Sequence, residues 1–150
     1  MKNIHVFTNP KYEKLNENLC TTIVKKVLNH YDLRSFDVNL IFTSDIYVSN
    51  LKKEFFSKNQ WTDVIAFPMH TKNEKSVEGE IYISMPTAKE NAKLYKQSYG
   101  KELARLVIHG ALHLLGIEDD TNEKKEKMSK IEEHFLKEIS WEELIEKKSL

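Results

Sequence analysis

The chain has 150 residues, a length that favours a single domain spanning residues 1–150. Its 23 basic and 23 acidic side chains cancel to zero formal net charge, which excludes a generally basic protein that coats nucleic acid. Its single cysteine excludes an intramolecular disulfide. No apolar run approaches the roughly 18 residues of a membrane-spanning helix, and the N-terminal residues lack the apolar core of a signal peptide, so we expect a cytoplasmic protein with no membrane partner.

The first half of the chain alternates short β-prone segments with amphipathic ones. Residues 4–7 and 36–42 predict strands, the second because apolar side chains occupy every other position. Residues 11–31 predict a helix, since apolar residues recur at four-residue spacing. Ser44 is a candidate N-cap for a helix over 45–57, whose predicted inward side chains are Ile46, Leu51 and Phe55.

The second half begins with two short strands. Residues 63–67 form an apolar run that Pro68 stops, and residues 80–84 alternate apolar and polar side chains. The polar residues between them, 70–79, predict a loop that lets the two strands pair antiparallel.

Three helices are predicted after these strands, over 88–98, over 101–115 and after residue 120. The segment 101–115 is apolar on nearly every side, which indicates a buried central helix. Capping pairs indicate where the other two begin: Thr87 with Glu90, and Asp120 with Glu123. The last helix has an apolar stripe of Met128, Ile131 and Phe135.

The order of these elements predicts an α/β fold. Strands that alternate with helices favour parallel pairing in one sheet, and the adjacent strands near 63 and 80 add an antiparallel pair. We therefore expect one domain with a mixed, mostly parallel four-stranded sheet, covered by helices, with 101–115 as the central helix.

Two histidines stand out in that central helix. His109 and His113 are four residues apart, so a helix projects both rings from one face. Gly116 is placed to end the helix in a left-handed turn, which can bring Asp119 back toward them. Two imidazoles and one carboxylate, with a fourth position open to water, are typical of a catalytic zinc site. We predict one Zn²⁺ ion held by His109, His113 and Asp119.

A simpler alternative stays open. The two histidines could be ordinary core residues, and the acidic stretch that follows Gly116 could serve simply to cap the next helix. The remaining histidines lack comparable spacing and are predicted to be ordinary core or surface residues: His5, His30, His70 and His134.

The segment "HGALHLLGIED" (109–119) resembles the motif HGxLHLxGYDH of the YbeY family of metal-dependent endoribonucleases. "WTDVIAFP" (61–68) and "GEIYIS" (79–84) are similar to two strand motifs of the same family, and chain length and element order also agree. The resemblance implies a zinc-dependent, single-strand-specific endoribonuclease. It would act on the 3′ end of 16S rRNA and in late-stage 70S ribosome quality control, with RNA and ribosomal components as partners and no DNA.

Two positions depart from the family pattern. Asp119 stands where the family has its third histidine; an aspartate can also bind zinc, and it lowers the net charge of the site by one. Phe56 stands where the family has an arginine near the metal. Lys58 is the candidate catalytic auxiliary in its place, and no other catalytic side chain is assigned beside the metal-activated water.

The resemblance also places "DVIAF" beside the metal helix, with Thr62 and Asp63 at the edge of the cleft. For Asp63 we favour the role of a structural brace. Because the total charge gives no general attraction to RNA, contact is expected through local basic patches. The candidates are Lys52, Lys53 and Lys58 on one side, and Lys89, Lys93, Lys96 and Arg105 on another.

Two other functions remain as alternatives. The histidine spacing is similar to the zincin metallopeptidase motif HExxHxxGxx(H/D), but Gly110 stands where those enzymes have their glutamate base. The third hypothesis is a non-catalytic, metal-stabilised ribosome assembly factor, which the phenylalanine at position 56 favours.

Overall fold

The computed structural model describes residues 1–56, 62–69 and 75–146. Its strands are β1 (Lys2–Thr8), β2 (Ser35–Thr43), β3 (Val64–Pro68) and β4 (Ser76–Ser84). Its helices are α1 (Glu17–His30), α2 (Asp45–Phe56), α3 (Met85–Leu94), α4 (Tyr99–Leu114) and α5 (Asn122–Leu136), followed by a short 3₁₀ turn, Trp141–Glu143. Among the residues described, none of the helices combines the length and the apolarity needed to span a bilayer.

The four strands form one sheet in the order β1-β2-β4-β3. β1 pairs parallel with β2, β2 pairs parallel with β4, and β3 pairs antiparallel with β4. Every second side chain of β2 is buried, because that face of the sheet joins the core formed with α1 and α4: Phe36, Val38, Leu40 and Phe42. The predicted mixed, mostly parallel four-stranded sheet covered by helices is confirmed.

Helix α4 is the central helix, as predicted. It packs against α1, α3, α5, β3 and β4. Its buried apolar side chains cover most of its circumference, and the remaining face carries Arg105, His109 and His113, which are partly buried. The buried apolar residues are Leu103, Ala104, Leu106, Val107, Ile108, Ala111, Leu112 and Leu114. The helix begins two residues before the predicted 101–115, because the Ser98 side chain accepts a hydrogen bond from the Lys101 N–H at 3.0 Å and caps the first turn.

Several predicted boundaries are wrong. The predicted loop 70–79 is too long, since β4 begins at Ser76; its residues 70–74 lie outside the described part of the chain. Val77 and Gly79 are buried while their neighbours point outward, so the strand alternation extends further back than the polar sequence indicates. Helix α1 begins at Glu17 behind the N-cap Asn16, rather than at residue 11.

The predicted capping pairs are also wrong. Helix α3 starts directly from the end of β4, where the Ser84 side chain accepts from the Thr87 N–H at 3.2 Å. Helix α5 is capped by Thr121, which accepts from the Lys124 N–H at 3.1 Å. Asp120 instead pairs with the Lys124 ammonium at 3.1 Å.

Of the three residues of α2 predicted to face inward, Leu51 is partly buried and the other two are exposed. Ile46 is 63% exposed and Phe55 is 60% exposed, and the buried residue is Val48. Ile46 and Phe55 are nine residues apart, which places them about 180° apart around a helix. They therefore cannot share the narrow stripe through which α2 contacts the sheet.

Candidate metal centre

The two histidines of α4 face each other. His109 and His113 lie one turn apart, with ring centroids 4.5 Å apart and Nε2 atoms 2.9 Å apart. Their side chains are 15% and 29% exposed, so the pair lies at the border of the core with access to solvent. The structure thus places both rings on one helical face, as their spacing predicts.

Gly116 ends the helix and reverses the chain. Its φ angle is +87°, in the left-handed region that glycine adopts without strain. The Gly116 N–H donates to the His113 carbonyl at 2.9 Å, and the Ile117 N–H donates to the Leu112 carbonyl at 3.1 Å. These two bonds are the Schellman pattern of a helix C-terminus. The turn directs the next residues back toward the histidines.

Asp119 completes a group of three donors. Its Oδ2 lies 3.4 Å from His109 Nε2, and its Oδ1 lies 3.5 Å from His113 Nε2. Ligands at about 2.0–2.2 Å from a tetrahedral ion are separated from one another by roughly 3.3–3.6 Å. The two distances from Asp119 match this spacing, and the 2.9 Å between the two Nε2 atoms is slightly shorter than it. In the described part of the chain, this is the one cluster of His, Cys, Asp or Glu that could hold a metal.

The protein also contacts both rings away from the point where they meet. His109 Nδ1 lies 2.5 Å from Glu132 Oε2, and the backbone of Ile117 lies beside the His113 ring. Burial lowers the pKa of His113, and the adjacent His109 lowers it further, which favours the neutral ring that binds metals. Both Nε2 atoms are thus left to converge on one point, an arrangement that suits a cation.

Glu132 is a site residue that the sequence interpretation missed. It lies on α5, is 3% exposed, and contacts His109 from the side opposite Asp119. A pattern in the sequence could have revealed it. Glu132 is four residues after Met128 and three before Phe135, so it interrupts the buried stripe of α5. A glutamate in such a stripe is almost never buried without a partner.

Arg105 was predicted to contact RNA, and the structure does not support this. Its guanidinium donates to both oxygens of Glu102 at 2.8 and 2.7 Å, and it donates to Glu132 at 3.3 Å. These carboxylates, Glu102 first, raise the pKa of Arg105 above its usual value. Because two carboxylates neutralise it, Arg105 is not a free cation for phosphate.

The predicted lysine face on α3 is kept for Lys89 and Lys93, which are exposed and four residues apart, but not for Lys96. Lys89 pairs with Glu13 at 3.2 Å and lies over the Tyr99 ring. Helix α3 ends at Leu94, before Lys96, whose φ of +54° turns it out of the helical repeat. Lys89 therefore shares its charge with Glu13 at the surface, and Lys93 lies beside it as the other helical cation of the group.

On the other side, Lys52 lies over the Phe56 ring at 4.8 Å, and Lys53 is exposed. Phe56 is the last residue of α2 and packs against Phe67 with ring centroids 5.8 Å apart. Lys58, the candidate auxiliary, lies outside the described residues.

Asp63 makes the contacts expected of a residue with a structural role. Its Oδ2 accepts from Asn91 Nδ2 at 2.9 Å, and its carbonyl accepts from the Ser84 N–H at 2.8 Å. These bonds tie the start of β3 to α3 and to the end of β4, and β3 packs on α4 as expected. Thr62 lies beside it, with its hydroxyl donating to the Val64 carbonyl at 3.4 Å.

The other histidines have local partners of their own. Three of them lie beside an acidic or aromatic neighbour and outside the three-donor group: His5 by Asp37, His30 by Phe135, and His134 by Glu138. His70 lies outside the described residues.

Comparisons with known proteins agree with the fold and identify a family that matches most of the chain. The model of the family described as Endoribonuclease YbeY matches residues 3–140. The chain is 33% identical over 135 residues to the Endoribonuclease YbeY of Amoebophilus asiaticus, covering 89% of this chain and 91% of that protein. It is 32% identical over 133 residues to the one from Karelsulcia muelleri, covering 89% and 93% of the two chains.

A solved structure shows the same architecture. The solution structure of TM1509 from Thermotoga maritima superposes with a TM-score of 0.59 at 28% sequence identity, and the match covers 91% of each chain. The family match spans nearly the whole sequence, and the relatives are at least 30% identical over most of their length. These findings confirm the resemblance inferred from the histidine motif: the chain belongs to the Endoribonuclease YbeY family.

Proposed function

We propose that this chain is a zinc-dependent endoribonuclease that cleaves single-stranded RNA, with one ion held by His109, His113 and Asp119. The observation that carries the proposal is the convergence of their donor atoms, with neighbouring distances of 2.9, 3.4 and 3.5 Å. The relatives that share this fold are named endoribonucleases. The whole chain, residues 1–150, would act as a single YbeY-like domain.

The three donors suit zinc chemically. Two imidazole nitrogens and one carboxylate oxygen are a common catalytic set for this ion, and they leave one position free. Zinc in such a site supplies a water of lowered pKa and polarises the bond that is to be cut. The aspartate brings a negative charge that a third histidine would not, so we expect tight binding but weaker acidification than in an all-histidine site.

The biological substrate is proposed from the family resemblance. We propose that the RNA is ribosomal, that the protein matures the 3′ end of 16S rRNA, and that it takes part in late-stage 70S ribosome quality control. Ribosomal components are the expected partners, and the cytoplasmic location stays a prediction.

Position 110 argues against a metallopeptidase. In the zincin motif this position holds the glutamate base, beside the metal. Here a Cβ atom on Gly110 would lie 2.5 Å from Ile81 Cγ2 and 3.4 Å from Val64 Cγ2. The position therefore faces the sheet rather than the histidines, and it has no room for a side chain.

The assembly-factor hypothesis keeps one specific observation in its favour. Phe56, where the family has an arginine, packs on Phe67 and brings no cation to the site. If RNA cleavage depends on that arginine, this chain would bind metal and support ribosome maturation without cutting RNA.

The test is a fluorogenic single-stranded RNA assay on protein stripped of metal and then reloaded with zinc. We expect cleavage that depends on zinc and is lost in His113→Ala. The matched control is His134→Ala, an exposed histidine outside the three-donor group, which should cleave like wild type. Cleavage by zinc-free protein, or cleavage that survives in His113→Ala, would refute the proposal. Zinc binding without cleavage in the wild type would favour the assembly factor.

A further inference from the structure

His109 lies between two carboxylates. Glu132 Oε2 is 2.5 Å from Nδ1, and Asp119 Oδ2 is 3.4 Å from Nε2. A neutral imidazole has one N–H, so it can donate to only one of them. Donation at the shorter contact, to the more buried carboxylate, would place the proton on Nδ1. The Nε2 lone pair then faces Asp119, and a cation between them removes the repulsion.

Glu132 is itself held in place. Its second oxygen, Oε1, accepts from Arg105 Nη1 at 3.3 Å. Arg105 is anchored by the two-pronged contact with Glu102, which like Glu132 is 3% exposed. This chain of contacts crosses from α4 to α5 and back, so the carboxylate that faces His109 has little freedom to rotate.

The charges of this cluster do not cancel. Glu102 and Glu132 contribute two negative charges and Arg105 one positive charge, which leaves one negative charge buried behind His109. A buried charge is costly unless it is compensated nearby. A cation at Nε2, on the other side of the His109 ring, would compensate this buried negative charge through the imidazole. Carboxylate–histidine–zinc groups have this arrangement.

We propose that Glu132 is a positioning residue of the metal site, which keeps the proton of His109 on Nδ1 and its Nε2 directed at the ion, with Arg105 and Glu102 locking the glutamate. The inference rests on the metal site proposed above. It deepens that proposal by assigning a role to a glutamate that lies 23 residues further along the chain than His109.

Two variants and a matched control test the role. Glu132→Gln keeps the shape and one acceptor oxygen but removes the charge. Glu132→Leu removes the acceptor altogether. Glu133→Gln changes the next residue of α5, which is exposed, and serves as the control. We expect zinc affinity, measured by competition with a chelator, to fall about tenfold in Glu132→Gln and up to about 100-fold in Glu132→Leu. Glu133→Gln should match wild type.

A second readout needs neither metal nor RNA. Nitrogen-15 spectra of the histidine rings report which nitrogen carries the proton. In metal-free wild type, above the titration range of imidazole, His109 should carry its proton on Nδ1, and in folded Glu132→Leu this preference should be lost. A merely structural role for Glu132 would leave the tautomer unchanged.

The outcomes separate this inference from the proposed function. A wild-type His109 protonated on Nε2 alone, or a Glu132→Gln protein that binds zinc as tightly as wild type, would overturn the role of Glu132 while leaving the nuclease proposal intact. If zinc affinity and tautomer change as expected but no RNA is cleaved, the positioning role stands and the nuclease proposal fails.

Discussion

Replacing Gly116 by alanine tests the turn that brings Asp119 to the histidines. The residue has a φ of +87°, and a Cβ atom built on it would meet no other atom within 4 Å. The substitution therefore introduces no clash. Its effect isolates the backbone strain of an L-residue in the left-handed region.

The expected cost can be worked from these two facts. An L-residue in that region costs about 1–2 kcal/mol relative to glycine. Alanine also restricts the unfolded chain, which by itself would offset roughly 0.4–1 kcal/mol. The net expectation is a loss of about 1 kcal/mol in the free energy of unfolding. For a chain of this length that corresponds to a fall of about 2–4 °C in melting temperature.

Urea denaturation of metal-free protein measures this difference directly. Gly116→Asn is the matched comparison, because asparagine tolerates the left-handed region better than alanine. Its stability should lie between those of wild type and Gly116→Ala. An alanine variant as stable as wild type would show that the turn has a different conformation, and the placement of Asp119 would lose its basis.

Three further predictions concern the site and its support. Asp119→His should retain tight zinc binding, because histidine also supplies a ligand, whereas Asp119→Ala should weaken it. Competition with a chelator measures the zinc affinity of both variants, and equal affinities would exclude Asp119 as a ligand. Asp63→Ala should lower the free energy of unfolding by about 1 kcal/mol, since it removes the hydrogen bond from Asn91, and should leave zinc affinity unchanged. A loss of zinc binding without a loss of stability would contradict the bracing role. Burial lowers the pKa of His113 in the folded protein, so as pH falls below about 6.5 the unfolded chain takes up the proton first. Metal-free protein should therefore lose stability below that pH, and His113→Gln should lose less of it over the same range.

The parts of the site that local sequence determines could be predicted. A four-residue spacing brings His109 and His113 together on any helix, and glycine after an apolar run indicates a left-handed helix end. The apolarity of α4 on most of its sides likewise identifies it as the central helix, because only a helix packed between other elements can bury so much of its circumference.

The parts that depend on distant residues could not. Glu132 meets His109 across 23 positions, and Lys89 meets Glu13 across 76. The apolar stripe of α5 indicates that Glu132 is buried, but no local pattern identifies the partner of either residue. The capping errors have another cause. Ser84 and Thr121 compete with neighbouring polar residues of nearly equal capping preference, and the geometry of the incoming chain decides between them.

The central claim is that one metal ion lies between α4 and the turn that follows it. A crystal of the zinc-loaded protein, with anomalous scattering recorded at the zinc edge, tests this directly. We predict a single strong peak about 2.0–2.2 Å from Nε2 of His109, Nε2 of His113 and one carboxylate oxygen of Asp119. A peak elsewhere in the molecule, or two histidine rings turned away from each other in the zinc-loaded crystal, would contradict the account.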